Sequence, residues 1–130
     1  MTARTLDGAA TARQIREEVK AEALAFVTAG GRRPGLGALL VGDDPASHIY
    51  VSSKTKACEE LGLHHVTERL PATATTEDVL AVVERFNQDP AIHGILVQLP
   101  LPAGLDAERV LARLRPDTAL VSVMWANNET

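Results

Sequence analysis

Two short, largely apolar runs constrain the fold of this chain more than any other feature. They occupy residues 36–41, which are continuously apolar, and residues 92–97, where only His93 is polar. Runs of this length without regular alternation are typical of strands that are covered on both faces, as in parallel sheets with helices on either side. The run at 36–41 therefore predicts a central parallel strand.

Segments with helical periodicity surround these runs. The first helix is predicted after Asp7 and Gly8 and ends at Gly30 and Gly31. Its apolar residues recur at spacings of three and four and predict one amphipathic face: Ala12, Ile15, Val19, Ala23 and Phe26. A second helix is predicted from Pro45 to about Leu61, with Asp44 as its cap and Gly62 after its end.

Two further helices and two weaker strands complete the pattern. Capping hydroxyls and acids at 75–78 precede a helix with an apolar face, and Asp106 precedes another. The apolar residues of these helices are Val79, Leu80, Val83 and Phe86, then Val110, Leu111 and Leu114. Residues 65–70 and 119–125 predict strands. The alternation predicts an α/β fold, namely a three-layer αβα domain with a short parallel sheet.

The charge, the cysteine content and the lengths of the apolar runs indicate which kinds of partner and compartment this chain has. The formal net charge is −4, and acids and bases are interspersed, which argues against a nucleic-acid surface. The single cysteine, Cys58, cannot form an internal disulfide, and no run approaches the roughly 20 apolar residues of a membrane span. The first residues also lack the apolar stretch of a secretory signal. We therefore expect a cytoplasmic protein with no membrane or nucleic-acid partner.

The histidines do not predict a metal site. His48, His64, His65 and His93 share no metal-ligand spacing with cysteines or acids. Surface or packing roles are the better interpretation for them. We expect no metal.

One constellation predicts chemistry at the carboxyl edge of the sheet. Ligands of open parallel sheets gather there, and the loops at 42–47 and 98–102 both leave strands at that edge. Tyr50 and Lys54 lie four apart on the predicted second helix, and Gln98 follows the run at 92–97. Lys54 would act as an acid or base only if its pKa fell by about three units, which requires burial or a neighbouring cation. The alternative is that Tyr50 and Lys54 are simply neighbours on a solvated helix face.

Two long strings carry a family resemblance. Residues 42–63, GDDPASHIYVSSKTKACEELGL, and residues 94–102, GILVQLPLP, resemble the two signature motifs of the bifunctional methylenetetrahydrofolate dehydrogenase/methenyltetrahydrofolate cyclohydrolase family. The likeness extends from about Leu6 to Asp117. It implies one-carbon folate metabolism, with hydrolysis of methenyltetrahydrofolate to formyltetrahydrofolate and an NADP-dependent dehydrogenase activity in the intact family.

The resemblance also implies roles for individual residues. Lys54 matches the catalytic lysine, Tyr50 the residue that packs on the folate ring system, and Gln98 the residue that orients the lysine. The wall of the folate pocket would be formed by Leu99, Pro100, Leu101 and Pro102. Lys56 matches a basic position of the motif without an assigned role.

The sequence departs from the family pattern in two places. Val121 stands where the family has an aspartate that grips the pterin, so a substrate anchor is missing. No Gly-rich phosphate loop follows a strand, because Gly35 and Gly37 precede theirs. We therefore expect the NADP-binding Rossmann domain to be absent, with no cofactor in this chain and no dehydrogenase activity from it alone. The oligomeric state stays open, because family members dimerise through the cofactor domain.

The carboxyl-terminal residues carry a resemblance of their own. Residues 116–130, PDTALVSVMWANNET, resemble a segment of the cysteine desulfurases, too short to carry a pyridoxal phosphate site. The two resemblances meet at Pro116 and Asp117, which predicts a folate-binding catalytic domain at 1–117 and a non-homologous tail at 118–130 that forms an edge strand.

Two alternative functions stay open at this point. The chain could be an inactive, truncated or chimeric fragment that self-associates. Tyr50 and Lys54 could instead be the Tyr-x-x-x-Lys pair of short-chain dehydrogenases, although the Gly-rich loop and the upstream serine of that class are missing.

Overall fold

The computed structural model describes residues 2–114 and 120–122, and for the last three only the backbone. The elements in chain order are α1 (Gly8–Thr28), β1 (Gly35–Val41), α2 (Pro45–Leu61), β2 (His64–Leu70), α3 (Thr76–Gln88), β3 (Gly94–Val97), α4 (Ala107–Leu111) and β4 (Leu120–Ser122). The alternation of helices and strands confirms the predicted α/β class.

The four strands form one parallel sheet. Their order is β2-β1-β3-β4, so β1 is central, as predicted. Its Cα partners run from His64 to Leu70 on one side and from Gly94 to Val97 on the other. The described backbone at 120–122 pairs with β3 and places the Cα of Val121 beside that of Ile95. The rest of the strand predicted at 119–125 lies outside the described residues.

Helices cover the sheet on both faces, which makes the three layers. Alternate residues of β1 and β3 point to opposite faces, because side chains alternate along a strand. Leu39 and Ile95 join the larger core cluster with Val79, Val83 and Phe86 of α3. On the other face the smaller cluster contains Ala38, Leu40, Val51 and Leu96, with α2 above it.

The helix boundaries follow the capping signals. Asp44 accepts a hydrogen bond from the Ser47 N–H at 2.8 Å, Pro45 begins α2, and Gly62 ends it with a φ of 70°. Thr75 and Asp78 form a reciprocal capping box at the start of α3. Cys58 is buried on α2, where a free thiol packs as a small apolar group.

Helix α1 has the predicted bounds but not a buried face. No residue of α1 is buried. Ile15 is 53% exposed, Val19 38% and Phe26 56%. Helix α1 contacts α2, but no described element buries the apolar face that the sequence predicts.

Strand β3 begins later than the apolar run suggests. The N–H of Ile92 donates to the carbonyl of Asp89 and closes a turn, so the strand starts at Gly94. His93 joins this turn to β1, since its Nδ1 accepts from the Gly35 N–H at 3.0 Å. None of the described helices is long and apolar enough to cross a membrane.

Candidate active site at the carboxyl edge of the sheet

The turn after β1 sets the position of α2. Gly42 has a φ of 90°, a conformation that favours glycine, and its N–H donates to the carbonyl of Leu70 at 2.9 Å. Asp44 then caps the helix. The first turns of α2 consequently stand at the carboxyl end of the central strand, where open parallel sheets bind ligands.

Tyr50 and Lys54 meet on these turns of α2. The Lys54 Nζ lies 5.5 Å from the centroid of the Tyr50 ring. Tyr50 is 41% exposed, which leaves its ring available to a flat ligand, and Lys54 is half-buried. The spacing of four residues brings the two side chains together, as predicted.

Burial changes the ionisation of Lys54. Loss of solvation lowers the pKa of the Lys54 ammonium below its ordinary value. The adjacent ring attracts a cation through its π face and so opposes this effect. The direction that burial imposes is the one that makes a lysine useful as a base near neutral pH.

Gln98 is almost completely buried at the same edge. It is 1% exposed, and its N–H donates to the Leu39 carbonyl at 3.0 Å, which continues the ladder between β1 and β3. Its Nε2 donates to the Leu99 carbonyl at 3.0 Å. Because Gln98 lies two residues beyond Leu96, strand alternation directs it toward the α2 face of the sheet.

The Gln98 carboxamide keeps one free acceptor. Its Oε1 is buried and accepts no hydrogen bond from any residue that the structure describes. A buried acceptor without a donor costs on the order of 1–3 kcal/mol. The oxygen is therefore placed to accept from an additional N–H or O–H donor, such as an amine or a ligand.

The segment after Gln98 approaches the turn after β1. Leu99 is buried, Pro100 is exposed, Leu101 and Pro102 are half-buried, and the Leu99–Pro100 peptide is cis. A Cβ on Gly42 would come within 3.2 Å of the Pro102 Cγ. A side chain at Gly42 would thus crowd Pro102, so the close approach of the two loops depends on glycine.

One feature of this edge is not apparent from the sequence. Ser47 is a buried polar residue, although it reads as an ordinary first-turn serine. Its burial follows from its place three residues after the cap, on the side of α2 that faces the sheet. Within residues 2–114 and 120–122, no group of three or more histidines, cysteines or acids could hold a metal ion.

Comparison with known families identifies the chain. Residues 6–118 match the model of the tetrahydrofolate dehydrogenase/cyclohydrolase catalytic domain. The chain belongs to this family. The match covers both of the strings on which the resemblance rests and ends within two residues of the junction predicted at Pro116 and Asp117.

Individual members of the tetrahydrofolate dehydrogenase/cyclohydrolase family are similar in sequence and in fold. The chain is 55% identical over 117 residues to the bifunctional protein FolD of Bordetella avium, which covers 90% of this chain and 41% of that protein. It superimposes on the dehydrogenase-cyclohydrolase of Trypanosoma brucei, determined with NADP and an inhibitor, with a TM-score of 0.84, 37% identity and coverage of 91% and 40%. For the Bombyx mori dehydrogenase the TM-score is 0.85, with 38% identity and coverage of 90% and 40%. The chain thus spans about two fifths of the length of these relatives.

Proposed function

We propose that this chain binds a reduced folate and hydrolyses methenyltetrahydrofolate to formyltetrahydrofolate. The observation that carries the proposal is the pairing of Lys54 with the Tyr50 ring at the same edge of the sheet as a buried Gln98, whose Oε1 has no donor among the described residues. Membership of the family supplies the substrate class. Both the geometry and the family support acid-base chemistry by these side chains.

The proposed mechanism assigns proton transfer to Lys54. The methenyl substrate is a delocalised cation, so water needs positioning and removal of a proton more than it needs an activating metal. As the water oxygen bonds to the methenyl carbon, the neutral amine accepts one of its protons, which leaves a neutral hydroxyl intermediate. The ammonium of Lys54 then returns that proton to the ring nitrogen as the C–N bond opens, and the hydroxyl loses its own proton to solvent and becomes the formyl carbonyl. The positive charge of the substrate further disfavours the ammonium form of Lys54.

Tyr50 and Gln98 orient the reaction. The exposed ring of Tyr50 offers a flat surface on which the folate ring system stacks. We assign to the Gln98 Oε1, which has no donor among the described residues, the role of accepting a hydrogen bond from the Lys54 amine in the substrate complex, so that the amine lone pair is held toward the water. Leu99, Pro100, Leu101 and Pro102 form the wall that keeps bulk solvent from the reacting carbon.

The described residues do not fit NADP. Pyrophosphate binding at a helix start needs free N–H groups and glycines. In the turn after β1, Asp44 and Pro45 occupy the start of α2, and Asp43 adds a second acid. Two carboxylates would repel a pyrophosphate. We therefore propose no dehydrogenase step for these residues.

The first experiment follows the loss of methenyltetrahydrofolate absorbance with the purified chain. We expect a rate above the enzyme-free blank that disappears in Lys54→Ala, because the substitution removes the base. Lys20→Ala, which removes an exposed lysine of α1, is the matched control and should keep the rate. Equal rates for the folded chain and the blank would refute the proposed hydrolysis.

The missing pterin anchor gives a second prediction. A carboxylate that pairs with the donor groups of a heterocycle contributes about 1.5–3 kcal/mol, so Val121→Asp should tighten folate binding by about ten-fold or more. Isothermal titration with a reduced folate measures the change. Val121→Asn, which lacks the charge, is the control, and equal affinities for all three chains would contradict the alignment of Val121 with the family aspartate.

We further propose that residues 118–130 are a non-homologous tail whose strand completes the sheet edge. Support comes from the end of the family match at residue 118 and from the pairing of Leu120–Ser122 with β3. A chain that ends at residue 117 tests the proposal. It should melt at a lower temperature because β3 loses its neighbour, and unchanged melting would argue against a structural role.

The exposed face of α1 favours one alternative, a self-associating fragment without catalysis. Ile15, Leu24 and Phe26 are more than half exposed. Apolar surface of this kind is often an interface. Sedimentation that depends on concentration, together with no folate binding, would support the alternative over hydrolysis.

A further inference from the structure

The α2-facing side of β2 is polar where an aliphatic surface would be expected. Aliphatic residues of β1 point toward α2, and the β2 residues paired with them are His65, Thr67 and Arg69. The other side of β2 carries Val66 and Leu70, which pack against the larger core cluster. The edge strand thus has apolar residues on one face, with Glu68 between them paired to Arg85 of α3, and hydrogen-bonding side chains on the face that meets α2.

A groove of about 500 Å³ lies between these residues and α2. Helix α2 contributes Ser52, Thr55 and Lys56 to its lining. The Oγ1 atoms of Thr55 and Thr67 are 3.1 Å apart and join the two walls. Most of the residues around the groove therefore carry a group that can donate a hydrogen bond, although much of the surface between these groups is aliphatic.

The charges in the groove favour an anion. Lys56 and Arg69 are its cations, and Glu59 is its acid. Glu59 lies 3.5 Å from the His65 Nε2, which partly satisfies its carboxylate. Among the described residues, one guanidinium nitrogen of Arg69 has a partner, the His48 Nδ1 at 2.9 Å. This excess of cations occurs in a chain whose formal net charge is −4.

We propose that this groove, here called the α2–β2 groove, binds a phosphate group. Arginine presents a planar fork of N–H groups that matches phosphate oxygens, and lysine and hydroxyl donors complete such sites. The α2–β2 groove offers all three kinds of donor within one space. It adjoins a second groove of about 340 Å³ that shares Ser52 and Lys56 and includes Ile49, which is 65% exposed. The second groove provides an apolar surface for the organic part of a phosphomonoester.

The α2–β2 groove is separate from the proposed active site. Lys54 and Lys56 differ by two positions, which corresponds to about 200° around a helix axis. Tyr50 and Lys54 consequently face one flank of α2, and Ser52 and Lys56 face the other. Phosphate binding does not depend on the proposed folate hydrolysis, and either can fail without the other.

Inorganic phosphate is the first probe. In a ¹⁵N-resolved NMR titration of the full chain, with chloride at equal ionic strength as the reference, the amides of Ser52 and Thr67 should shift saturably with phosphate. Lys56→Gln and Arg69→Gln should each weaken binding by about ten-fold, because each removes a charge-assisted hydrogen bond. Lys20→Gln removes the same charge from α1 and should leave binding unchanged.

Two further measurements distinguish free phosphate from a phosphomonoester and show whether a variant has lost binding only because it is misfolded. Tighter binding of phenyl phosphate than of inorganic phosphate would identify a phosphomonoester as the ligand, and equal or weaker binding would identify free phosphate. Arg69→Lys keeps the charge, should melt as the parent does, and should bind more tightly than Arg69→Gln. Shifts that chloride reproduces, or binding that survives both Gln substitutions, would overturn the proposal.

Discussion

Gln98 lowers the stability of the fold at a position where its side chain is proposed to assist catalysis. Its side chain is buried at the edge of the sheet, yet one of its polar atoms accepts no hydrogen bond within the described residues. A residue selected for packing alone would be apolar at such a position, because an unsatisfied buried acceptor is costly. Its presence at the carboxyl edge of the sheet is explained if the oxygen accepts from the Lys54 amine or from a ligand, as proposed above.

The substitution Gln98→Leu separates the two roles. Leucine has a similar volume and removes the unpaired oxygen, so the melting temperature should stay the same or rise. Hydrolysis of methenyltetrahydrofolate should fall by about ten-fold or more, because Lys54 loses its positioning partner. Thermal melts and the absorbance assay measure the two quantities on one sample. A parallel loss of stability and activity would instead mark Gln98 as structural.

At the scale of elements, helix α2 organises the candidate site. Its start is determined by Asp44, whose carboxylate accepts from Ser47. These hydrogen bonds, first from the Ser47 side chain and then from its backbone, lower the pKa of Asp44, and nearby His48 lowers it further. The candidate active site with Tyr50 and Lys54 lies on one flank of this helix, and the α2–β2 groove lies on the other. Both therefore depend on where the cap places the helix.

The cap predicts an acid-dependent stability. Because the pKa of Asp44 is lower in the folded chain than the ordinary value of about 3.9, the stabilisation is present above that value and is lost as the pH falls through the folded pKa. Asp44→Asn still caps but does not titrate, so its melting temperature should decline less steeply below about pH 4. Asp43→Asn removes the same charge one residue away and should follow the parent. Identical acid profiles for all three chains would exclude this contribution.

At the scale of the whole molecule, the two faces of the sheet are unequally packed. The α3 face holds the larger cluster of buried residues, and the α2 face holds a cluster of four. Helix α1 adds no buried residue to either. Stability should therefore reside mainly between the sheet and α3.

Two matched valines test this asymmetry. Val83→Ala removes a fully buried side chain of α3 and should lower the free energy of unfolding by about 2 kcal/mol. Val19→Ala makes the same change on α1, where the side chain is 38% exposed, and should change it by less than about 0.5 kcal/mol. Urea unfolding of both variants gives the comparison. Equal losses would show that α1 is packed as firmly as α3.

Much of the fold was predictable because its signals are local. The bounds of α2 follow from Asp44, Pro45 and Gly62, and the capping box of α3 follows from Thr75 and Asp78. The start of β3 was predicted two residues early, because the pattern does not reveal that Ile92 closes a turn. The meeting of Tyr50 with Lys54 was predictable from their spacing, whereas the burial of Gln98 was not.

The sequence by itself determined which segments are helices and strands, where they are capped and which two strings mark the family. Those properties depend on residues that are neighbours along the chain. Only the tertiary structure decided that the apolar face of α1 stays exposed, that the Gln98 Oε1 lacks a donor within the described residues, and that β2 turns His65, Thr67 and Arg69 toward α2. These outcomes depend on contacts between segments distant in sequence, and hydrophobic periodicity carries no information about which partner covers a face.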